Sequence, residues 1–126
     1  MKHNPGFLKL VEQAKRTIKE CRIADVKVKL DRGDPFHLID VREDNEFGKD
    51  HAKGAAHLGR GILERDIETV IPDKRAEIIL YCGGGYRSAL AAESLRQMGY
   101  TDVRSMDGGM RAWREAGYPI EGSSAE

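Results

Sequence analysis

The sequence lacks a charge excess of either sign: 21 Lys and Arg stand against 21 Asp and Glu. A chain that grips nucleic acid by its phosphates carries a strong positive excess, so nucleic acid is not expected as a partner. Cysteine is scarce. Cys21 and Cys82, 61 positions apart, form neither a disulfide framework nor a C-x-x-C metal or dithiol pair. That usage suits a reducing compartment, and the cytoplasm is the expected location. No apolar run approaches the roughly 18 residues that span a membrane. Met1-Lys2-His3-Asn4-Pro5 is not followed by the apolar core of a signal peptide. No membrane role is expected, and no internal repeat is present. What remains is a 126-residue chain of one-domain length. Its 40% apolar residues, once 14 glycines are counted in and 4 tyrosines out, reach the range of roughly 45–50% typical of globular domains.

Charge is unevenly spread along the chain. Residues 1–30 carry eight basic and three acidic groups, net +5; residues 31–80 carry eight and twelve, net −4; residues 81–126 carry five and six, net −1. The basic start reads as a solvated helix face, with a docking surface as the sharper alternative. After Pro5-Gly6, the residues Phe7, Leu8, Val11, Ala14 and Ile18 fall at helical spacing. They predict an amphipathic helix of about 12–15 residues. A helical extension thus occupies about residues 1–21, Cys21 and Ile23 lie near a short extended stretch, and the tail at 122–126 is expected to be frayed. Two roles fit the extension: covering a face of the domain, or dimerising through its apolar stripe. The sequence leaves the oligomeric state open.

Downstream, strand and helix patterns alternate. Residues 25–32 are ambiguous: Val26, Val28 and Leu30 alternate like a half-buried strand, yet Val26 and Leu30 also fit a short helix. Phe36 to Val41 reads as a strand, Glu43 to Lys49 as a short charged helix, and Gly54 to Leu58 as a short strand or turn. Ile62 to Val70 is helical and ends at Pro72. Glu77-Ile78-Ile79-Leu80-Tyr81 is a continuous apolar run, as in a parallel strand covered on both faces. Ser88 to Met98 forms a helix capped by Gly99. A strand within Tyr100 to Met106 and a last helix from Met110 to Ala116 complete the pattern. Such alternation defines an α/β fold with a mainly parallel sheet.

The chemistry concentrates in Tyr81-Cys82-Gly83-Gly84-Gly85-Tyr86-Arg87-Ser88. This segment joins the most buried strand to a helix, and ligands of open α/β sheets bind at such strand ends. Gly83, Gly84 and Gly85 allow successive N–H groups to point inward as an anion-binding nest. The helix beginning near Arg87 adds its positive end, and the Arg87 fork suits oxyanions. All three favour negative charge at the loop centre, and so the thiolate form of a cysteine there. Ser88 can donate a further hydrogen bond to that sulfur. The plainer reading makes Cys82 an inert buried thiol over a tight turn. The convergence of glycines, Arg87 and a helix start outweighs it.

At this point the chain resembles the single-domain rhodanese sulfurtransferases over roughly residues 22–121. Leu38-Ile39-Asp40-Val41-Arg42 followed by Glu46-Phe47 matches the family's D-V-R-x-x-x-E-[YF] segment. His51 with Gly54-Ala55 matches its H-I-x-G-A turn, with Ala52 in place of Ile, and Cys82 to Ser88 match its active-site loop. Asp107-Gly108-Gly109, Trp113 and Gly117-Tyr118-Pro119-Ile120 match its closing segment. The resemblance implies an open, mostly parallel five-stranded sheet with helices on both faces, and a helix at 25–32. It implies transfer of a sulfane sulfur, from thiosulfate or a persulfide donor to a thiol or cyanide acceptor, through a persulfide on Cys82. Cys82 and Arg87 would be catalytic. Gly83, Gly84, Gly85, Tyr86 and Ser88 would bind substrate. No cofactor is implied.

Three comparisons sharpen that expectation. Related phosphatases of this fold place five residues between Cys and Arg; here four intervene. A shorter loop makes a smaller nest, suited to one sulfur more than to a phosphate. This ranks a phosphatase or arsenate-reductase-like hydrolase below the sulfurtransferase. A non-catalytic binding module typically lacks the cysteine, and this chain keeps it. Thiosulfate-preferring members often carry Arg or Lys just after the cysteine, where this chain has Gly83. A persulfide on a small thiol or a partner protein becomes the better donor, and Arg60 or Arg42 is expected to supply the missing charge. Asp40 and Arg42 are expected to brace the sheet edge as an ion pair, with pocket lining as the alternative. His51 and His57 lack the further ligands that a metal site needs. Trp113 is expected to pack the last helix onto the core. Cys21 reads as a small buried residue, with resolution of the Cys82 persulfide as the alternative.

Overall fold

The computed structural model describes residues 3–122. The chain runs α1 (Pro5–Lys15), β1 (Lys19–Cys21), α2 (Ile23–Arg32), β2 (His37–Asp40), α3 (Asp44–Lys49), β3 (His51–Ala52), β4 (Ala56–His57), α4 (Leu63–Val70), β5 (Ile78–Tyr81), α5 (Tyr86–Gln97), β6 (Val103–Met106), α6 (Gly109–Glu115) and β7 (Ile120–Glu121). Five strands form one sheet in the order β1-β6-β5-β2-β4, every neighbouring pair parallel. β5 lies at its centre, and all four of its residues are fully buried. Its continuous apolar run therefore has the physical cause expected of a parallel strand, helices on both sides.

Alternate strand residues point to opposite faces. Ile39, Ile78 and Leu80 meet Leu63 and Ile67 of α4 and Leu95 of α5. Leu38, Ile79, Tyr81 and Met106 meet Val26 of α2 and Met110 and Trp113 of α6. Trp113 is fully buried, and its indole N–H donates to the Pro119 carbonyl at 2.8 Å. A buried indole requires such an acceptor.

The ambiguous residues 25–32 are helical. Val26 is fully buried, whereas Val28 is half exposed. A strand would have put both on one face. The Asp25 carboxylate accepts from the Arg22 N–H at 3.0 Å and caps the first turn. Gly33 ends the helix at φ 71°, the left-handed turn that glycine tolerates best.

Two features depart from the sequence reading. β3 and β7 form an antiparallel clasp, His51 opposite Glu121 and Ala52 opposite Ile120. Strands of two residues carry no readable periodicity. The main sheet also begins at Lys19, inside the segment 1–21 assigned to an extension. Within that segment α1 packs on α5, burying Val11 and Ala14 and leaving Leu8 and Leu10 exposed. The Thr17 hydroxyl ties it to Glu93 of α5 at 3.1 Å. Of the tail expected at 122–126, only Gly122 falls among the described residues. Among those residues no helix is long and apolar enough to cross a membrane.

Candidate active site

Cys82 follows β5 directly, at the carboxyl end of the central strand. Its side chain is buried, and the sulfur collects donors. The Gly85 N–H lies 3.2 Å from Sγ and the Ser88 N–H 3.4 Å. Ser88 Oγ sits 3.5 Å from Sγ and shares a 2.8 Å hydrogen bond with Ser105 Oγ. Gly85 makes this possible by its φ of 99°, which turns its N–H back toward the sulfur. Ser88 is the third residue of α5, so its N–H is one of the donors a helix start leaves unpaired. The sulfur therefore occupies an anion site built from a left-handed turn and a helix N-terminus.

A second helix start holds the loop from below. The Met110 N–H donates to the Cys82 carbonyl at 2.8 Å, and the Arg111 N–H to the Gly83 carbonyl at 3.0 Å. Backbones this close leave no room for a side chain. A Cβ on Gly109 would strike the Cys82 carbonyl and lie 2.9 Å from the Gly83 carbonyl carbon, and Gly109 sits at φ 53°. The Asp107-Gly108-Gly109 motif is thus the seat of the active-site loop.

Arg87 does not hang free over the loop. Its two terminal nitrogens donate to the two Glu46 carboxylate oxygens at 2.7 and 3.1 Å. This planar fork fixes the guanidinium. It lies across Gly83, where an added Cβ would be 3.2 Å from Nη2. The Arg87 hydrogen bond holds the Glu46 carboxyl below its usual range, so the pair is ionised at neutral pH.

Arg42 and Arg60 are not brought to this site. Arg42 is buried, and its fork grips Asp40 with contacts of 2.8–3.0 Å; Nη2 also donates to the Asp50 carbonyl at 2.6 Å. Asp40 and Arg42 thus brace the end of β2. Arg60 is held by Glu64 at 2.7 Å and Ser94 at 3.3 Å. Both arginines follow strands on the correct edge, as expected, but nearby acceptors turn them away from the cleft. Among the described residues the cations that line it are Arg87 and Arg111, the latter from α6 and 3.7 Å from Glu115. The cleft has a volume of about 760 Å³ and is lined by Cys82 and Gly84 together with the mutually contacting rings of Tyr86, Phe7 and His3.

Sequence reasoning assigned no role to Glu46, Arg111, Phe7 or His3. Glu46 carried a signal, since it stands in a quoted motif at the start of a short helix. The other three gave none, because only the fold brings their elements to the loop. His51 and His57 both stack on Phe47, with ring centroids 3.8 and 4.6 Å away. Burial pushes the Cys21 thiol up to about 11. Cys21 ends β1, two strands from β5. That spacing is roughly 10 Å, beyond the roughly 7 Å Cα separation a disulfide can bridge.

This arrangement defines an α/β domain centred on a cysteine in an anion-binding loop. The model of the rhodanese-like domain matches residues 22–116, and the chain belongs to that family. It is 35% identical over 96 residues to a putative sulfurtransferase, YtwF, of Bacillus subtilis, covering 76% of this chain and 90% of the relative. It is 37% identical over 87 residues to the thiosulfate sulfurtransferase GlpE of Vibrio cholerae, covering 69% of this chain and 80% of the relative. A protein of unknown function from Rhodopseudomonas palustris, described as a possible tyrosine phosphatase, has the same fold with a TM-score of 0.85. It is 29% identical, and the match covers 96% of this chain and 98% of that one.

Proposed function

We propose that the protein is a cytoplasmic sulfurtransferase that carries sulfane sulfur as a persulfide on Cys82. One observation carries this reading: a buried sulfur at a strand end that receives the N–H groups of Gly85 and Ser88. A site that donates hydrogen bonds to sulfur stabilises the thiolate before transfer and the persulfide after it. The cycle has two displacements. The Cys82 thiolate attacks the outer sulfur of thiosulfate or of a persulfide donor, the donor's S–S bond breaks, and sulfite or a thiolate leaves with the electron pair. An acceptor thiolate or cyanide then takes the outer sulfur and frees Cys82. Arg87, oriented by Glu46, borders the anionic donor, and Tyr86 and Gly83 to Gly85 shape its approach. A partner protein is a fitting donor or acceptor, because the cleft opens to the surface.

The name given to the Rhodopseudomonas relative favours a second reading, a phosphatase. Against it stand the four residues between Cys82 and Arg87 and the engagement of Arg87 by Glu46. Intact-mass measurement after thiosulfate treatment separates these readings. Wild type is expected to gain one sulfur atom, removable by reductant, and Cys82→Ser to gain none. Wild type should release no phenol from an aryl phosphate. Absence of sulfur gain from both thiosulfate and an organic persulfide, or Cys82-dependent phosphate release, would overturn the proposal.

A further inference from the structure

The cleft above Cys82 is much larger than thiosulfate, an ion of five heavy atoms. Its volume of about 760 Å³ lies within the roughly 300–1,000 Å³ typical of sites for organic ligands. One wall is aromatic and comes partly from α1, outside the family match at 22–116. The His3 ring meets Tyr86 edge-on with centroids 4.6 Å apart, Phe7 meets it at 6.2 Å, and His3 and Phe7 lie 5.3 Å from each other. The charges around the sulfur nearly cancel. Glu46 neutralises Arg87, and Arg111 faces Glu115 at 3.7 Å with both side chains about three-quarters exposed. So open a pair contributes little, which leaves Arg111 available to an incoming anion.

We infer that the cleft selects a sulfur donor with an aromatic or planar apolar body behind an anionic sulfane-sulfur head. The His3–Phe7–Tyr86 wall holds the body and Arg111 meets the head. This rests on the Cys82 persulfide reading. An aryl thiosulfonate has that chemistry. The Cys82 thiolate attacks its outer sulfur, a new S–S bond forms, the bond from that sulfur to the sulfonyl group breaks, and a sulfinate leaves with the electron pair. Two anions give two anions, and no outside oxidant or reductant enters.

The test uses the full chain with benzenethiosulfonate and methanethiosulfonate, which share a head and differ by the ring. Wild type is expected to favour the aromatic donor in kcat/KM by about tenfold, and Phe7→Ala to reduce that preference roughly threefold or more. His3→Ala gives a second variant on the same wall. Arg111→Gln should raise KM for both donors and keep their ratio. A wild-type ratio near one, or a ratio that Phe7→Ala and His3→Ala leave unchanged, overturns the inference while the persulfide reading stands. Failure of both thiosulfonates to load Cys82 overturns the inference, and failure of thiosulfate and an organic persulfide as well overturns the persulfide reading with it.

Discussion

Gly109 shows how one residue can carry a site without touching substrate. Its missing Cβ lets α6 reach the carbonyls of Cys82 and Gly83, and those contacts hold the loop so that its N–H groups face the sulfur. Gly109→Ala forces the two backbones apart at a left-handed φ, a change that costs about 2–3 kcal/mol. The expected outcome is a lower Tm together with at least tenfold slower sulfur uptake by Cys82, read by intact mass. Unchanged uptake at unchanged Tm would mean the loop holds its shape alone. Arginines teach the complementary lesson. Arg42, Arg60, Arg87 and Arg111 look alike in the sequence, yet each one's role follows from the carboxylate that reaches it. Asp40 and Glu64 are two and four residues from the arginines they capture, whereas Glu46 lies 41 residues from Arg87.

Among the elements, α1 and β1 do different work within one short segment. α1 covers α5 through Val11 and Ala14, while β1 is one of the sheet's two edge strands, paired to β6 from Lys19 to Cys21. Removing residues 1–15 therefore uncovers a helix face and costs about 2–4 kcal/mol, from one buried Val and its neighbours. Removing residues 1–20 also takes most of an edge strand. Urea denaturation should place the midpoints in the order full chain, then 16–126, then 21–126. Equal midpoints for the two truncations would mean that β1 adds no stability. The helical spacing of Phe7 to Ile18 was legible because it is local. Near Cys21 the sequence showed only a short extended stretch, since three residues bound mainly by backbone pairing leave no register to read.

At the scale of the molecule, buried or half-buried ion pairs tie distant parts together. Arg114 of α6 grips Asp50 at the start of the β3–β7 clasp with a 2.9 Å contact from Nε, and Glu46 joins α3 to the active-site helix. Hydrogen bonds from Arg114 and Arg87 hold both carboxyls below their ordinary values of 3.8 and 4.5. Groups whose folded values are depressed stabilise fully above the unfolded values and lose that contribution as pH falls through the folded ones. The Tm should therefore hold down to about pH 5 and fall steeply toward pH 2. Asp50→Asn should start lower at neutral pH and fall less across that window, as followed by circular dichroism. Parallel curves for the two proteins would show that Asp50 does not contribute to acid sensitivity.

By itself the sequence determined the α/β alternation, the buried central strand and the glycine-rich cysteine loop that follows it. Each depends on residues within one turn or one strand, so backbone preference and burial pattern suffice to encode them. Tertiary structure alone decided that Glu46 orients Arg87, that Arg111 and not Arg42 or Arg60 faces the cleft, and that Phe7 and His3 wall it. It also decided that Cys21 stands two strands away from Cys82 and that β3 pairs with β7. These facts turn on which elements the strand order makes neighbours. Packing of the whole sheet and its two helical layers settles that order, and no local run of residues contains it.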